Sequence, residues 1–357
     1  MKKALSILTA GCLAVSLAAC GSTAASSAAS AADSTASSAA ESTAATDTAA
    51  ADGQTYKVGI CQLVQHVALD AATQGFKDAL TEQLGDAVTF EEKNAQGDSN
   101  TCSTIINGFV SDNVDLILAN ATPALQAAQA GTNTIPVLGT SVTEYGVALG
   151  IDDFDGLVGT NISGTSDLAP LDEQAGIIKE LFPDAKTVGL LYCSAEPNSQ
   201  YQVDTVKASL EELGYTCEYY AFSDSNDLAT VCQSAADASD VIYVPTDNTV
   251  ANNTEIVNNI CQPAGVPVVA GEEGIMSGCG VATLSISYYD LGVATGKMAA
   301  KILTGESKVE EMPIEYAPEF TKEYNPTIAE ALGITIPDDY VAVSYTHLRA
   351  HETLANL

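Results

Sequence analysis

Polar side chains that could hold a small solute recur directly after the apolar runs of this sequence. In the first half the polar candidates are Gln62, His66, Thr122, Thr140, Ser141 and Asp167, which are mostly amides and hydroxyls with one imidazole, and the apolar Leu69 joins them as a candidate contact. In the second half carboxylates and amides predominate, and the candidates are Glu196, Asn198, Ser199, Asp247, Asn248 and Glu272. Hydroxyls and helix N-termini suit a carboxylate, whereas carboxylates suit an ammonium group. The pattern predicts a zwitterionic ligand, most simply an amino acid, with Asp247 contacting the ammonium group.

Each candidate also has a structural interpretation. Thr122 precedes Pro123, a pair typical of a helix start. The acids, taken singly, are typical of solvated loops or helix caps. His66, the only histidine before the C-terminal tail, could equally be structural. Binding is favoured over these alternatives only because the residues converge where strands end.

Charge and composition narrow the partners. The formal net charge is −33, which disfavours nucleic acid and anionic lipid as partners. The only arginine is Arg349, so the body has no guanidinium to grip a carboxylate or phosphate by two hydrogen bonds. Tryptophan is absent, and an aromatic wall around the ligand would need Tyr or Phe.

Enzymatic and metal motifs are absent from the sequence. It contains no GxSxG, Walker, HExxH or dinucleotide-binding signature and no cysteine–histidine spacing typical of zinc. We therefore expect no cofactor, no metal and no enzymatic activity, although the acids near 247 and 272 leave an acid/base pair as an alternative. Seven cysteines follow Cys20, an odd number that favours buried free thiols over a disulfide framework.

The body alternates short apolar strands with amphipathic helices, the pattern of a parallel sheet. The predicted strands are Tyr56–Leu63, Val88–Lys93, Asp115–Ala119, Pro136–Gly139, Thr187–Cys193, Thr216–Ala221, Val241–Val244 and Pro267–Ala270. The predicted helices include Ala68–Leu84, Asn100–Ser111, Asn198–Leu213 and Thr249–Gln262.

This pattern occurs twice. Lys57-Val58-Gly59-Ile60 is echoed by Thr187-Val188-Gly189-Leu190, and Ile135-Pro136-Val137 by Val266-Pro267-Val268. The repeat predicts an α/β protein of two Rossmann-like, doubly wound lobes around a ligand cleft. Ligands of such sheets bind beyond the carboxyl ends of the strands, and two facing lobes suit hinged closure.

The N-terminus resembles an export signal. Lys2 and Lys3 precede an apolar stretch, and Leu17-Ala18-Ala19-Cys20 resembles a bacterial lipobox. We expect a signal peptide over residues 1–19, a lipidated Cys20 that anchors the protein to the membrane, and a disordered Ala/Ser tether over residues 20–55. An ordinary cleaved signal with an incidental cysteine is the alternative.

Several short runs of the body resemble the type I periplasmic binding proteins that include tryptophan- and tyrosine-binding transport lipoproteins. They are Asn94-Ala95-Gln96-Gly97-Asp98, Ala121-Thr122-Pro123, Gly164-Thr165-Ser166-Asp167, Ser194-Ala195-Glu196-Pro197-Asn198-Ser199, Tyr243-Val244-Pro245-Thr246-Asp247-Asn248 and Tyr288-Tyr289-Asp290-Leu291-Gly292. The resemblance implies an extracytoplasmic, monomeric solute-binding subunit of an ABC importer, with ABC permease subunits as partners. It also implies three crossings between the lobes, near 163–166, 284–287 and 313–318.

The resemblance divides the chain as follows: residues 56–164 plus 285–314 form the first lobe, and residues 165–284 plus 315–343 form the second. The loop at 63–67 departs from the family, in which it is often aromatic, so a preference for aromatic amino acids would depend on Tyr145, Tyr288 or Tyr289. The last two could equally be hinge or core residues. Residues 344–357 resemble a translated sequencing adapter and are expected to be a non-native tail. Two alternatives stay open, a ligand-sensing module for a membrane sensor and a nucleoside- or sugar-binding subunit.

Overall fold

The computed structural model describes residues 54–317 and 319–343, which form two α/β lobes. The predicted signal peptide, the lipidation site Cys20, nearly all of the tether and the tail lie outside these residues. No helix among the described residues is long and apolar enough to cross a membrane.

The first lobe is built on a six-stranded parallel sheet. Its strands are β1 (Tyr56–Gln62), β2 (Val88–Asn94), β3 (Leu116–Asn120), β4 (Val137–Val142), β5 (Ile162–Ser166) and β11 (Glu315–Tyr316). They lie in the order β2-β1-β3-β4-β5-β11.

The second lobe repeats this sheet with one strand added. Its strands are β6 (Thr187–Cys193), β7 (Thr216–Phe222), β8 (Val241–Val244), β9 (Val268–Ala270), β10 (Ala282–Ser285), β12 (Thr321–Tyr324) and β13 (Val341–Ala342). The order is β7-β6-β8-β9-β10-β12-β13, and only β10 and β12 pair antiparallel. The predicted doubly wound architecture and its repeat are confirmed.

Helices cover both faces of each sheet. They are α1 (Val67–Leu84), α2 (Ser99–Ser111), α3 (Thr122–Gly131), α4 (Tyr145–Leu149), α5 (Leu171–Leu181), α6 (Pro197–Glu212), α7 (Ser225–Ala238), α8 (Asn248–Ala251), α9 (Thr254–Ala264), α10 (Glu273–Cys279), α11 (Tyr288–Leu303) and α12 (Pro326–Leu332). The single helix predicted over Thr249–Gln262 is wrong, because it breaks into α8 and α9 at Asn252 and Asn253. Asparagine competes with helix continuation by favouring cap and turn conformations.

Both lobes begin with the same hydrogen bond. The Asp115 carboxylate accepts from the Lys57 backbone N–H at 2.7 Å, and the Asp240 carboxylate accepts from the backbone N–H of Thr187, the repeat equivalent of Lys57, at 2.9 Å. Each aspartate stands just before a central strand and ties it to the start of its neighbour. The structural repeat therefore extends to individual side chains.

The strands are apolar because both of their faces are buried. In β1 and β3 the side chains alternate between one core shared with α1 and α11, which contains Ile60 and Leu118, and another shared with α2 and α3, which contains Cys61 and Ile117. Strands covered on both sides lose the apolar–polar alternation of a half-exposed sheet. This burial explains why the sequence shows them as continuous apolar runs.

Helix α11 returns the chain from the second lobe to the first, where it packs tightly on α1. A Cβ atom placed on Gly75 would lie 2.1 Å from the Tyr289 carbonyl oxygen, and one on Gly292 would lie 2.0 Å from the Ala72 carbonyl oxygen. Only glycine fits at either position.

The chain passes from one sheet to the other after residues 166, 285 and 316. The resemblance placed these passages after residues 164, 284 and 314. Residues 165 and 166 pair within the first sheet, as do 315 and 316, whereas Ser285 pairs within the second. The crossing predicted near 163–166 coincides with the buried strand β5.

Candidate functional site

A small cavity lies between the two lobes at the carboxyl ends of their strands. It is lined from both sides by His66, Leu69, Ser141, Thr143, Asp167, Asn198, Thr246, Asn248 and Tyr288. Its volume is about 10 Å³, roughly enough for one water molecule. A larger solute could enter only if the lobes moved apart.

Asp167 contributes a buried carboxylate at the first crossing. Its Oδ2 accepts a hydrogen bond from the Tyr288 hydroxyl at 2.8 Å, and its Oδ1 is buried without a partner. Burial raises the pKa of Asp167 to about 6, against the opposing effect of the Tyr288 hydrogen bond. No lysine or arginine lines the cavity, so this carboxylate lacks a counter-cation within the described residues.

Ser141 presents its hydroxyl through an unusual backbone conformation. Its φ of 53° lies in the left-handed region, where the register between β4 and β5 shifts. Such conformations are uncommon for residues other than glycine and cluster at functional sites. The Ser141 Oγ is buried without a hydrogen-bond partner. It is available to donate to a ligand.

His66 bridges the lobes. Its Nε2 lies 3.3 Å from Oδ1 of Asn248, which belongs to the opposite lobe. Burial lowers the pKa of His66 to about 4, so the ring is neutral near pH 7. Its second nitrogen, Nδ1, is buried without a partner. His66 precedes α1, but its side chain does not cap the helix.

Asn198 stands opposite on the second lobe. Its Nδ2 donates to the Thr246 carbonyl oxygen at 3.0 Å, and its Oδ1 is buried without a partner. The structure has eight such unpartnered side-chain atoms among its described residues, and four line this cavity: His66 Nδ1, Ser141 Oγ, Asp167 Oδ1 and Asn198 Oδ1. Because buried polar groups are almost always hydrogen-bonded, their convergence indicates a site for a polar ligand.

Of the thirteen ligand-contact candidates from the sequence, the structure brings six to this cavity. They are His66, Leu69, Ser141, Asp167, Asn198 and Asn248. The remaining seven do not line it.

Three of these seven are acids that serve the second lobe itself. Both carboxylate oxygens of Asp247 accept backbone hydrogen bonds, from Cys193 at 2.7 Å and Val250 at 2.9 Å. Burial raises the pKa of Asp247, and the nearby Glu196 carboxylate raises it further. Glu272 caps α10 through the backbone N–H groups of that helix, and Glu196 holds the start of α8.

The other four are neutral residues that support the framework. Gln62 bonds Asp70 and Thr73, while Thr140 joins a hydroxyl cluster with Thr165 and Thr295. Ser199 is buried, and its hydrogen bond lowers the pKa of Asp247. Thr122 starts α3, and its expected capping role is wrong, since the N-cap residue is Ala121, with no side-chain hydrogen bond.

Sequence reasoning missed Thr143 and Thr246 and left Tyr288 undecided. Thr143 lies two residues beyond Ser141, and Thr246 immediately precedes Asp247, so proximity to strand ends could have suggested both. Tyr288 lines the cavity, whereas Tyr145 is buried in the first lobe and Tyr289 bonds Asp78 on the surface. Nothing in the sequence distinguishes these three tyrosines.

A second space of about 230 Å³ adjoins the cavity at Asn248. Leu63, Val64 and Pro123 of the first lobe form the apolar part of its lining, and most of the remaining lining is polar, including Glu196 and Asn248 of the second lobe. We call this space the mouth. It places an apolar surface of the first lobe next to the polar cavity.

The described part of the chain holds no cluster of three or more side chains suited to a metal ion. The seven cysteines of this part are all buried and form no disulfide bond, and the thiols of Cys232 and Cys261 lie 3.6 Å apart.

Comparison with known proteins identifies close relatives. Residues 57–347 match the family model described as ABC transporter substrate binding protein. A tyrosine-binding protein from Clostridioides difficile is 36% identical over 260 residues, which cover 72% of this chain and 75% of the relative.

Two solved structures extend the comparison. A domain from Streptococcus pneumoniae in complex with L-Trp is 33% identical, with a TM-score of 0.76, and the match covers 80% of this chain and all of that one. The ligand-free, open form of a Clostridium difficile substrate-binding protein is 38% identical, with a TM-score of 0.62, and the match covers 81% of this chain and all of that one.

Proposed function

Because this chain belongs to the family of ABC transporter substrate-binding proteins, we propose that it binds a free aromatic amino acid between its lobes and delivers it to an ABC importer. Members of this family are solute-binding proteins that act outside the cytoplasm, and they are not enzymes. The ligand class, its placement in the cavity and the direction of transport are our proposal.

The four unpartnered atoms of the cavity are the observation that carries the ligand class. Asp167 Oδ1 and Asn198 Oδ1 need hydrogen-bond donors, and Asp167 also needs a cation. An ammonium group supplies both. Ser141 Oγ can donate to a carboxylate. A zwitterion satisfies all of these requirements at once, whereas a neutral sugar would leave the Asp167 charge buried and unpaired, which is unfavourable.

The sequence predicted the ammonium contact at Asp247. We propose Asp167 instead, because both Asp247 oxygens already accept backbone hydrogen bonds and the side chain does not line the cavity. Asp167 lines the cavity, and its Oδ1 has no hydrogen-bond partner.

An aromatic side chain suits the mouth. Leu63, Val64 and Pro123 give it an apolar wall next to the polar cavity. The tyrosine-binding relative and the tryptophan complex support this choice. The absence of an aromatic residue at position 63 does not oppose it, since an aliphatic wall also buries an aromatic ring.

Binding requires the lobes to open and close. The cavity is too small for an amino acid to enter as it stands, and the three crossings provide a hinge. The higher TM-score with the tryptophan complex than with the open structure supports a closed arrangement of the lobes here. The export signal and Cys20 would tether the receptor at the membrane beside its permease.

A thermal-shift screen of the full chain tests the proposal. We expect L-tyrosine or L-tryptophan to raise the melting temperature, with smaller effects from aliphatic amino acids. Nucleosides and sugars should have no effect. Stabilisation by a sugar or nucleoside, with none by any amino acid, would contradict the proposed ligand class.

A further inference from the structure

The contact between His66 and Asn248 is a direct hydrogen bond between opposite walls of the cavity. The 3.3 Å separation of His66 Nε2 and Asn248 Oδ1 does not by itself say which atom donates. A neutral imidazole carries its proton on either nitrogen, and the choice decides what the other nitrogen offers a ligand.

Glu196 fixes the orientation of the Asn248 amide. One Glu196 oxygen lies 3.0 Å from the Asn248 backbone N–H and 2.7 Å from its Nδ2. The other accepts from the Thr249 N–H at 2.9 Å and its hydroxyl at 2.8 Å. A carboxylate surrounded by donors only accepts, so the amide nitrogen of Asn248 faces Glu196 and its carbonyl oxygen faces His66.

This orientation settles the tautomer of His66. Facing a carbonyl oxygen, Nε2 must carry the proton and donate. In the neutral ring Nδ1 then carries a lone pair. That atom is buried, has no partner and belongs to a residue that lines the cavity.

We infer that His66 accepts, through Nδ1, a hydrogen bond from an N–H or O–H group of the bound ligand, and that Glu196 enforces this preference through Asn248 as a positioning residue. The inference rests on the proposed amino-acid binding and adds a selection rule to it. With the opposite tautomer the same ring would present an N–H and would select an acceptor on the ligand. A side chain 130 positions away along the chain thus determines what His66 recognises.

Two substitutions separate the roles of the two ring nitrogens. His66→Gln places an amide near the position of Nε2 and keeps the contact to Asn248, but removes the acceptor at Nδ1. His66→Asn places its amide near the position of Nδ1 and gives up the contact to Asn248. We expect His66→Gln to bind the amino acid roughly tenfold to a hundredfold more weakly than the wild type, as for a buried group left unpaired, and His66→Asn to lose less. Unchanged affinity in His66→Gln would overturn the inference.

Nitrogen NMR of ¹⁵N-histidine-labelled full chain reads the tautomer directly. The chain has three histidines, and His66→Gln identifies the resonances of His66 by their loss. We expect Nε2 protonated and Nδ1 unprotonated. In Glu196→Gln, whose amide can both donate and accept, the Asn248 amide can turn and the Nδ1–H form should appear. Circular dichroism of that variant checks that the protein as a whole remains folded. An Nδ1–H ring in the wild type would contradict the inference.

These measurements separate this inference from the proposed function. If the ring has the inferred tautomer but no amino acid binds, the proposed function fails, and with it the role of Nδ1 in binding. If an amino acid binds but the tautomer is reversed, or His66→Gln binds normally, only the inference about His66 fails.

Discussion

Replacing Asp167 with asparagine is expected to stabilise the protein without ligand and to weaken its binding of the amino acid. The Asp167 side chain is 5% exposed, and no cation faces it. Asparagine has nearly the same shape and can still accept from the Tyr288 hydroxyl, but it carries no charge. The substitution should therefore make the ligand-free protein more stable and its binding of the amino acid weaker.

The magnitude follows from the pKa. Burial raises the Asp167 pKa from 3.8 to about 6, and because the folded-state value lies above the unfolded one, ionisation destabilises the fold as pH rises through this range. The difference between the two pKa values lowers the free energy of unfolding by about 3 kcal/mol at pH 7. Asparagine removes that penalty, which for a chain of this size corresponds to roughly 5–10 °C in melting temperature. Loss of a charge-assisted bond to the ammonium group should cost about 1.5–3 kcal/mol, or roughly 10- to 150-fold in affinity.

Differential scanning fluorimetry at pH 7 measures the first effect, and isothermal titration calorimetry with tyrosine or tryptophan measures the second. Asp247→Asn is the matched control, because it changes a buried acid that does not line the cavity. Its affinity should stay close to that of the wild type. If Asp167→Asn melted lower than the wild type, or bound with unchanged affinity while Asp247→Asn lost binding, the reasoning would be refuted.

Three further predictions follow from the same structure. Affinity for the amino acid should fall as pH drops below about 6, because Asp167 becomes protonated in the free protein. His66, with a pKa of about 4, stays neutral over this range. Calorimetry between pH 7.5 and 5 that shows a flat or rising affinity would contradict this. Gly292→Ala should destabilise the protein by about 3 kcal/mol, because the added methyl group collides with Ala72. Gly176→Ala, in α5 with open space around it, should stabilise the protein by about 0.5–1 kcal/mol. Denaturant unfolding compares the two variants, and equal effects would argue against tight packing of α1 on α11. Cys20→Ser should release the exported chain from the membrane fraction, and continued membrane association would count against lipid anchoring.

The sequence revealed eight of the strands, including most of those that the fold buries on both faces. β6 and β8 have the bounds predicted, and the other central strands differ by a few residues, because fully covered parallel strands leave continuous apolar runs. Strand β5 escaped detection because its hydroxyls are satisfied by distant partners that the sequence does not show. Ser163 donates to the Met312 carbonyl oxygen, and Thr165 lies 2.8 Å from the Thr295 hydroxyl.

The site was located correctly in outline, but its roles were not. Strand ends identified His66, Asn198 and Asn248, because the carboxyl ends of parallel strands meet at one edge. The choice between Asp167 and Asp247 depends on which backbone N–H groups each carboxylate meets. Asp247 meets two of them, one on β6 and one in α8, and Asp167 meets Tyr288 from beyond the second crossing. Such long-range pairings are set by the tertiary fold, which local sequence patterns do not encode.

The most direct test of the account compares tyrosine with two analogues by isothermal titration calorimetry. Tyramine lacks the carboxylate, and 3-(4-hydroxyphenyl)propionate lacks the ammonium group. We predict that tyrosine binds with one site per chain and that each analogue binds the wild type at least tenfold more weakly. In Asp167→Asn, which lacks the charge that pairs with the ammonium group, tyrosine and the propionate should bind with similar affinity. If the propionate bound the wild type as tightly as tyrosine, the central claim that this cavity recognises a zwitterion through Asp167 would be contradicted.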